Sequence, residues 1–433
     1  MSQNDLLDSE SYPPISSKEE VENGNFGILI PSIILDRFSY YGFRSLLVLY
    51  VVMEFEFDRN EAIAQYGLFT TLIYFMAVPG GALGDFVFKS KQSLIIGSIA
   101  AAIGAGICAV PSVELFYTGC IFVIIGIGLY RPNISAHVAR ITGKDLRLIG
   151  QRYLTLYLFI NVGAFFGGLL LMLIAEMFGY YLAFSITAVS WLASAIVLYT
   201  TKNNTQKPKK QKIHSRIRQY RKPSGFTLLL LTIPVIASVC YWISYEHFYP
   251  RYIDSTFELF KSNSSIYAPK YLLMSIGTLI TIPVGLVLLL VFRKNWLHPL
   301  QKMAIGMVLM AMAWEIIYFM PNSMGFNSAV AIYIIFSILM GISELFVTPT
   351  LQTLVAAMTP RKILGTITGV SFFILSLGNT YGSQVMYYLD PHSEKFFLPW
   401  VCGVLAVLLF LLPLFLKKDK IEMVEETDEI ELE

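Results

Sequence analysis

The sequence predicts an all-α integral membrane protein whose twelve transmembrane helices form two six-helix bundles. Three observations carry this prediction. Of the 433 residues, 55% are hydrophobic and only 14% charged, against about 25% charged in a soluble domain, and the mean hydropathy is +0.60. Apolar runs of about 20 residues, the length that crosses a bilayer core, recur along the chain. A basic stretch near the middle divides those runs six and six.

The runs fall at 26–53, 62–86, 92–110, 114–138, 150–175 and 179–200, then at 226–249, 270–292, 300–320, 328–357, 362–388 and 395–416. In lipid each backbone group needs an internal partner, so such runs are helices, and the alternation of a membrane barrel is absent. With residues at the run ends counted with the adjoining loops, 24 of the 32 Lys and Arg lie in the two tails and alternate loops on one side, five lie on the other, and Arg37, Arg44 and Arg131 fall in the interior of the runs. The positive-inside rule then places both termini in the cytoplasm, as for a multi-pass protein of the plasma (inner) membrane. The polar, acid-rich segment 1–25 reads as a cytoplasmic tail and does not fit a cleavable signal peptide. Residues 26–200 and 226–416 form the two bundles, and 417–433 form an acidic, solvated tail. The linker 201–225, with Lys207, Lys209, Lys210, Lys212, Arg216, Arg218, Arg221 and Lys222, reads first as a tether and orientation signal, and second as a contact for anionic lipid. Cys108, Cys120, Cys240 and Cys402 lie far apart in apolar runs, with neither disulfide nor metal-ligand spacing, and read as small buried hydrophobes.

Polar residues inside the runs single out the functional candidates. The first run carries Asp36, Arg37, Tyr40, Tyr41 and Arg44 on one helical face. A charge at membrane depth costs roughly 2.5–3.5 kcal/mol, so that face is expected to line a polar cavity. The second run ends in Gly81-Ala-Leu-Gly-Asp85, a small-residue turn with an acid. In the fourth run Arg131 precedes Pro132, which removes a backbone hydrogen bond and bends the helix. Arg131 needs an acid, a carbonyl, water or a substrate carboxylate nearby; Asp36 is one candidate partner, and whether Asp36 pairs with Arg37 or Arg131 stays open. The fifth run spaces Tyr157 and Asn161 four apart, with Gly163, Ala164, Gly167 and Gly168 for close packing. Asn161 reads equally as a substrate contact or an interhelical tie. The second half contributes Trp242, Glu246 and Glu344. One wall is thus net positive and the other negative, complementary to a zwitterion; pairing of these charges across the halves as a gate is the competing reading.

Gly81-Ala-Leu-Gly-Asp85 resembles the G-x-L-x-D motif of the major facilitator superfamily, which implies the major facilitator fold. Ile33-Ile-Leu-Asp36-Arg37-Phe38-Ser39-Tyr40-Tyr41-Gly42 resembles the E-x-x-E-R-F-x-Y-Y-G motif of the proton-dependent oligopeptide transporter (POT, peptide transporter) family of that superfamily. Further matches are Tyr74 before Pro79-Gly-Gly81, Gly128-Leu-Tyr-Arg131-Pro-Asn133, Leu156-Tyr157-x-x-Ile160-Asn161-x-Gly163-Ala164, Trp242-x-x-x-Glu246 and Gly341-x-x-Glu344-x-x-x-x-Pro349. The resemblance implies a substrate pocket of Arg44, Tyr40, Tyr74, Asn161, Tyr157, Trp242 and Glu344, with Arg44 on the substrate carboxylate and Glu344 on the amino terminus. It implies coupling or gating roles for Asp36, Arg37, Tyr41, Arg131 and Glu246. Three positions depart from the pattern: Ile33 and Asp36 stand at the motif's glutamates, and Arg131 at the usual lysine.

The expected function is secondary transport of di- and tripeptides by alternating access, with proton symport. An uncoupled facilitator or exchanger for another small zwitterion is the alternative, and a non-transporting receptor or scaffold is remote. No catalytic pair, nucleotide motif, cofactor site or metal cluster stands out, so no enzyme activity is expected. The expected partners are small peptides, protons and lipids, with a monomeric chain and no nucleic acid.

Overall fold

The computed structural model describes residues 17–143, 145–201, 232–245, 276–292, 297–318, 326–389 and 394–415. The linker, Glu246 and the acidic tail lie outside the described residues. Helices fill almost all of the rest. The first half holds α1 (Ser17–Phe55), α2 (Arg59–Phe86), α3 (Ser90–Cys108), α4 (Val113–Thr142), α5 (Leu146–Phe178) and α6 (Tyr180–Thr200). The second holds α7 (Thr232–Tyr245), α8 (Ile276–Val291), α9 (Pro299–Tyr318), α10 (Phe326–Met358), a 3₁₀ turn (Arg361–Ile363), α11 (Leu364–Leu389) and α12 (Glu394–Phe415). Among the described residues, seven helices are long and apolar enough to cross a membrane by themselves, and three apolar stretches are shorter. Many large apolar side chains point outward, Leu290 at 72% exposure and Leu68 at 60% among them, as expected where lipid is the solvent.

Small residues decide how near the helices come. α1 lies on α5 where Gly163 and Gly167 leave room: a Cβ on Gly167 would sit 2.2 Å from the Phe38 carbonyl oxygen, and one on Gly163 would sit 2.7 Å from the Arg37 Cβ. Gly168, grouped with them in the sequence, meets nothing. α4 remains one helix through Pro132, as α1, α2, α8 and α10 do through Pro31, Pro79, Pro283 and Pro349. The Asn133 amide beside the proline donates to the carbonyls of Leu129 (2.8 Å) and of Gly80 in α2 (2.8 Å), joining the two helices.

The halves meet most closely where α2 crosses α11. A Cβ on Gly81 would lie 2.2 Å from the Gly365 oxygen, and one on Gly369 would lie 2.2 Å from the Ala77 oxygen, so the backbones touch. Bulk here forces the halves apart, because overpacking a filled contact costs about 1–3 kcal/mol. With the native cysteines replaced, a cysteine at buried Thr368 should resist a maleimide reagent, whereas adding Gly369→Leu should expose it to labelling.

Candidate functional site

Asp36 and Arg37, expected to line a cavity, are instead packed inside the first half, at 2% and 3% exposure. Their side chains form an ion pair at 2.8 Å, and Trp191 of α6 donates its indole N–H to Asp36 Oδ1 at 3.1 Å. The Arg37 guanidinium lies over the rings of Tyr40 (5.6 Å) and Tyr130 (5.8 Å). Of the two partners left open for Asp36, the structure gives Arg37, and the expectation that these charges line an open cavity is corrected: both are buried. The physical reason is the close seat of α1 on α5, which buries both charges where only mutual neutralisation satisfies them. Ile33 is also buried, at 1%, in an apolar cluster with Tyr130, Ile134, Leu156 and Leu198. The surroundings of that position are packed for a hydrocarbon side chain.

Arg131 has a different setting. Its guanidinium stands over Tyr74 at 4.6 Å, Tyr40 at 5.3 Å and Phe372 at 5.9 Å. Phe372 belongs to α11, so this cage of rings spans the two halves. The described residues place no carboxylate within salt-bridge distance of Arg131, and its Nη1 is buried with no hydrogen-bond partner. A desolvated, unpartnered guanidinium nitrogen is costly unless an acceptor arrives.

Arg44, assigned by resemblance to the substrate carboxylate, donates through Nε to the Tyr66 hydroxyl and covers the Tyr66 ring at 5.2 Å. Asn161 is buried and donates one amide hydrogen to the carbonyl of Tyr157, four residues back at 3.0 Å, within its own helix. Across the interface the Tyr157 hydroxyl donates to Glu344 Oε1 of α10. Tyr41 packs edge-on against Tyr40, with ring centroids 5.0 Å apart. Trp242 packs edge-on against Tyr241 and near Tyr245 in α7. The structure thus brings Arg131, Tyr40, Tyr74, Tyr41, Tyr157 and Glu344 to the junction of the halves. It sets Asp36 and Arg37 behind them.

A second polar cluster closes one end of that junction. Asp85, at the end of α2, is fully buried. Its Oδ1 accepts from Arg140 Nη2 at 2.6 Å and from the Gly365 amide at 3.0 Å. Its Oδ2 accepts from the Thr366 amide and hydroxyl, both at 2.7 Å. Asp85 thus supplies the negative charge and the acceptors that the first turn of α11 lacks. Arg140 also donates to the Arg361 carbonyl at 2.8 Å, and Arg361 returns a bond to the Ala139 carbonyl at 2.6 Å. Sequence reasoning placed Asp85 in its motif but missed Arg140, Arg361 and Thr366, whose only signal was position near helix ends on the basic side. It also missed Tyr66, Trp191 and Phe372, which carry no signal beyond being aromatic.

The Major Facilitator Superfamily profile matches residues 29–383. Among curated proteins, dipeptide and tripeptide permease B of Xenorhabdus bovienii (strain SS-2004) is 27% identical over 211 residues, 48% of this chain and 42% of the relative. Dipeptide and tripeptide permease A of Yersinia pestis is 30% identical over 187 residues, 42% of this chain and 37% of the relative. The matched stretches therefore span about two fifths of those relatives. Among solved structures, the peptide transporter POT in complex with sulfate superimposes with a TM-score of 0.65 at 17% identity, covering 92% of this chain and 98% of that one. A POT family transporter in complex with 5-aminolevulinic acid gives a TM-score of 0.60 at 18% identity, covering 90% and 96%. These likenesses establish the twelve-helix fold. The chain belongs to the Major Facilitator Superfamily, and the proteins it is similar to include peptide transporters of the POT family.

Proposed function

We propose that the protein transports di- and tripeptides by alternating access, with the substrate held between the halves. The observation that carries this reading is the pair of opposite charges on the two walls. Arg131 offers a buried nitrogen without a partner on the first half, and Glu344 sits on the second, held by a tyrosine of the first. A zwitterion with its carboxylate on Arg131 and its ammonium on Glu344 would replace the Tyr157 contact and satisfy Arg131. The names of the permeases support peptides as the zwitterion. Arg131 takes the carboxylate role in this reading because its Nη1 is buried without a partner; Arg44, whose Nε serves Tyr66, is the second candidate.

The positive-inside bias supports the Asp85–Arg140–Arg361 cluster as the cytoplasmic gate, closed in this arrangement. We assign proton coupling to Glu344, with Glu246 as its second candidate. Rocking of the halves separates Glu344 from Tyr157 and so changes the hydrogen bonding of its carboxylate between the two arrangements. Asp36 and Arg37 neighbour each other on one helix, so rocking leaves their pair intact. A second reading, an uncoupled facilitator for another small zwitterion, draws on the apolar packing around Ile33 and on the non-titrating Arg131.

Binding of blocked dipeptides to the purified full chain tests the site. Arg131→Gln is expected to weaken a free dipeptide by about tenfold or more, the worth of a charge-assisted hydrogen bond, while leaving binding of the same peptide amidated at its C-terminus little changed. Equal loss for both peptides would remove Arg131 from the carboxylate site. Coupling is tested by uptake into proteoliposomes: Glu344→Gln is expected to lose stimulation by an inward proton gradient, and the paired Asp36→Asn/Arg37→Gln variant to keep it. Loss of stimulation in the pair variant alone would return coupling to the first helix. Gradient-indifferent uptake by the unaltered protein would favour the second reading.

A further inference from the structure

Away from the central site, an open crevice lies between α5 of the first half and α8, α9 and α10 of the second. Two cations line it from opposite halves, Arg147 and Lys302. Neither has a carboxylate within 4 Å among the described residues, and no Asp or Glu lines the crevice. The nearest acid along the chain, Asp145, spends Oδ1 on the amides of Arg147 and Leu148 at 2.9 and 3.2 Å, capping α5. Lys302 rests over the ring of Phe292 at 4.4 Å, and Gln151 reaches the Phe292 carbonyl at 3.4 Å. Leu154, Phe292, Leu345 and Phe346 make an apolar floor that continues to Tyr157.

Depth and chemistry together select the occupant. Arg147 and Lys302 lie in the first turns of two spanning helices, α5 and α9, where the chain passes from headgroup to hydrocarbon. A ligand that fits carries one negative charge at that depth and an apolar tail along the floor. We propose that the crevice binds one anionic phospholipid, its phosphate between Arg147 and Lys302, and that the lipid fastens α5 to the second half. A free phosphate would meet the same cations but leave the apolar floor uncovered. The proposal rests on the membrane location of the fold, and it stands whether or not the substrate is a peptide.

Native mass spectrometry of the purified full chain with added phosphatidylglycerol or phosphatidylcholine tests it. A basic group near a membrane surface contributes roughly 1 kcal/mol toward anionic lipid, about fivefold in affinity. Arg147→Gln is therefore expected to weaken phosphatidylglycerol about fivefold and Arg147→Gln/Lys302→Gln about thirtyfold, with phosphatidylcholine unchanged. The charge-preserving Arg147→Lys/Lys302→Arg variant is expected to retain the lipid. Equal phosphatidylglycerol binding by the parent and the double glutamine variant would overturn the proposal and locate the lipid elsewhere, the basic linker included. Displacement of phosphatidylglycerol by millimolar inorganic phosphate would overturn it too, in favour of a free-anion site.

Discussion

The arrangement of the two halves depends on one buried carboxylate. Asp85 accepts four hydrogen bonds, one from Arg140 of its own half and three from the start of α11. Its charge is compensated by a guanidinium and by the positive end of a helix, so burial is tolerable while the halves are together. In the proposed cycle the halves part and the α11 donors leave, while Asp85 keeps Arg140, which also donates to Ser90 of its own half. Such a contact is strong in one arrangement and replaceable in another, which is what a gate requires. The touching glycines of α2 and α11 make it possible, since a single Cβ would hold Asp85 away from the amides it caps.

The charges of the first helix divide into two kinds by the same reasoning. Asp36 and Arg37 neutralise each other beneath Trp191, within one half, so the proposed motion of the halves would leave their pair together. Arg131 is caged by rings from both halves and has a nitrogen left over. Glu344 is held by a tyrosine of the opposite half. Groups whose partners span the interface can couple binding to motion, because only their surroundings differ between the two states. This separates a fixed electrostatic core from a responsive site a few residues away.

Much of this was legible in the sequence. Helix number and type follow from apolar run length, and the two-half division from the basic stretch. The expected bounds fall within a few residues of the observed ones, except that α1 begins at Ser17, inside the expected tail, and that α7 and α8 border residues outside the described ones. Gly163 and Gly167 were readable as a packing seat because small residues in a membrane helix have few other uses. The pairing of charges was not readable. Asp36 and Arg37 are buried by the approach of α1 to α5, and Arg131 is caged by rings of α1, α2 and α11, neither of which a spacing rule reports. The Tyr66 contact of Arg44, the Trp191 contact of Asp36 and the Phe372 wall of the Arg131 cage join residues distant in sequence. Arg140 and Arg361 looked like ordinary orientation signals, and only the fold shows them at Asp85.

The central claim is that the end sealed by Asp85 opens as substrate is carried. Spin labels at Phe86→Cys, at the end of α2, and Lys362→Cys, just before α11, report the gap directly; both positions are exposed. In the reconstituted protein the account predicts a short distance without substrate. A longer-distance population should grow when a dipeptide is added at acidic pH. A single short distance under all conditions, in protein shown to take up peptide, would contradict it.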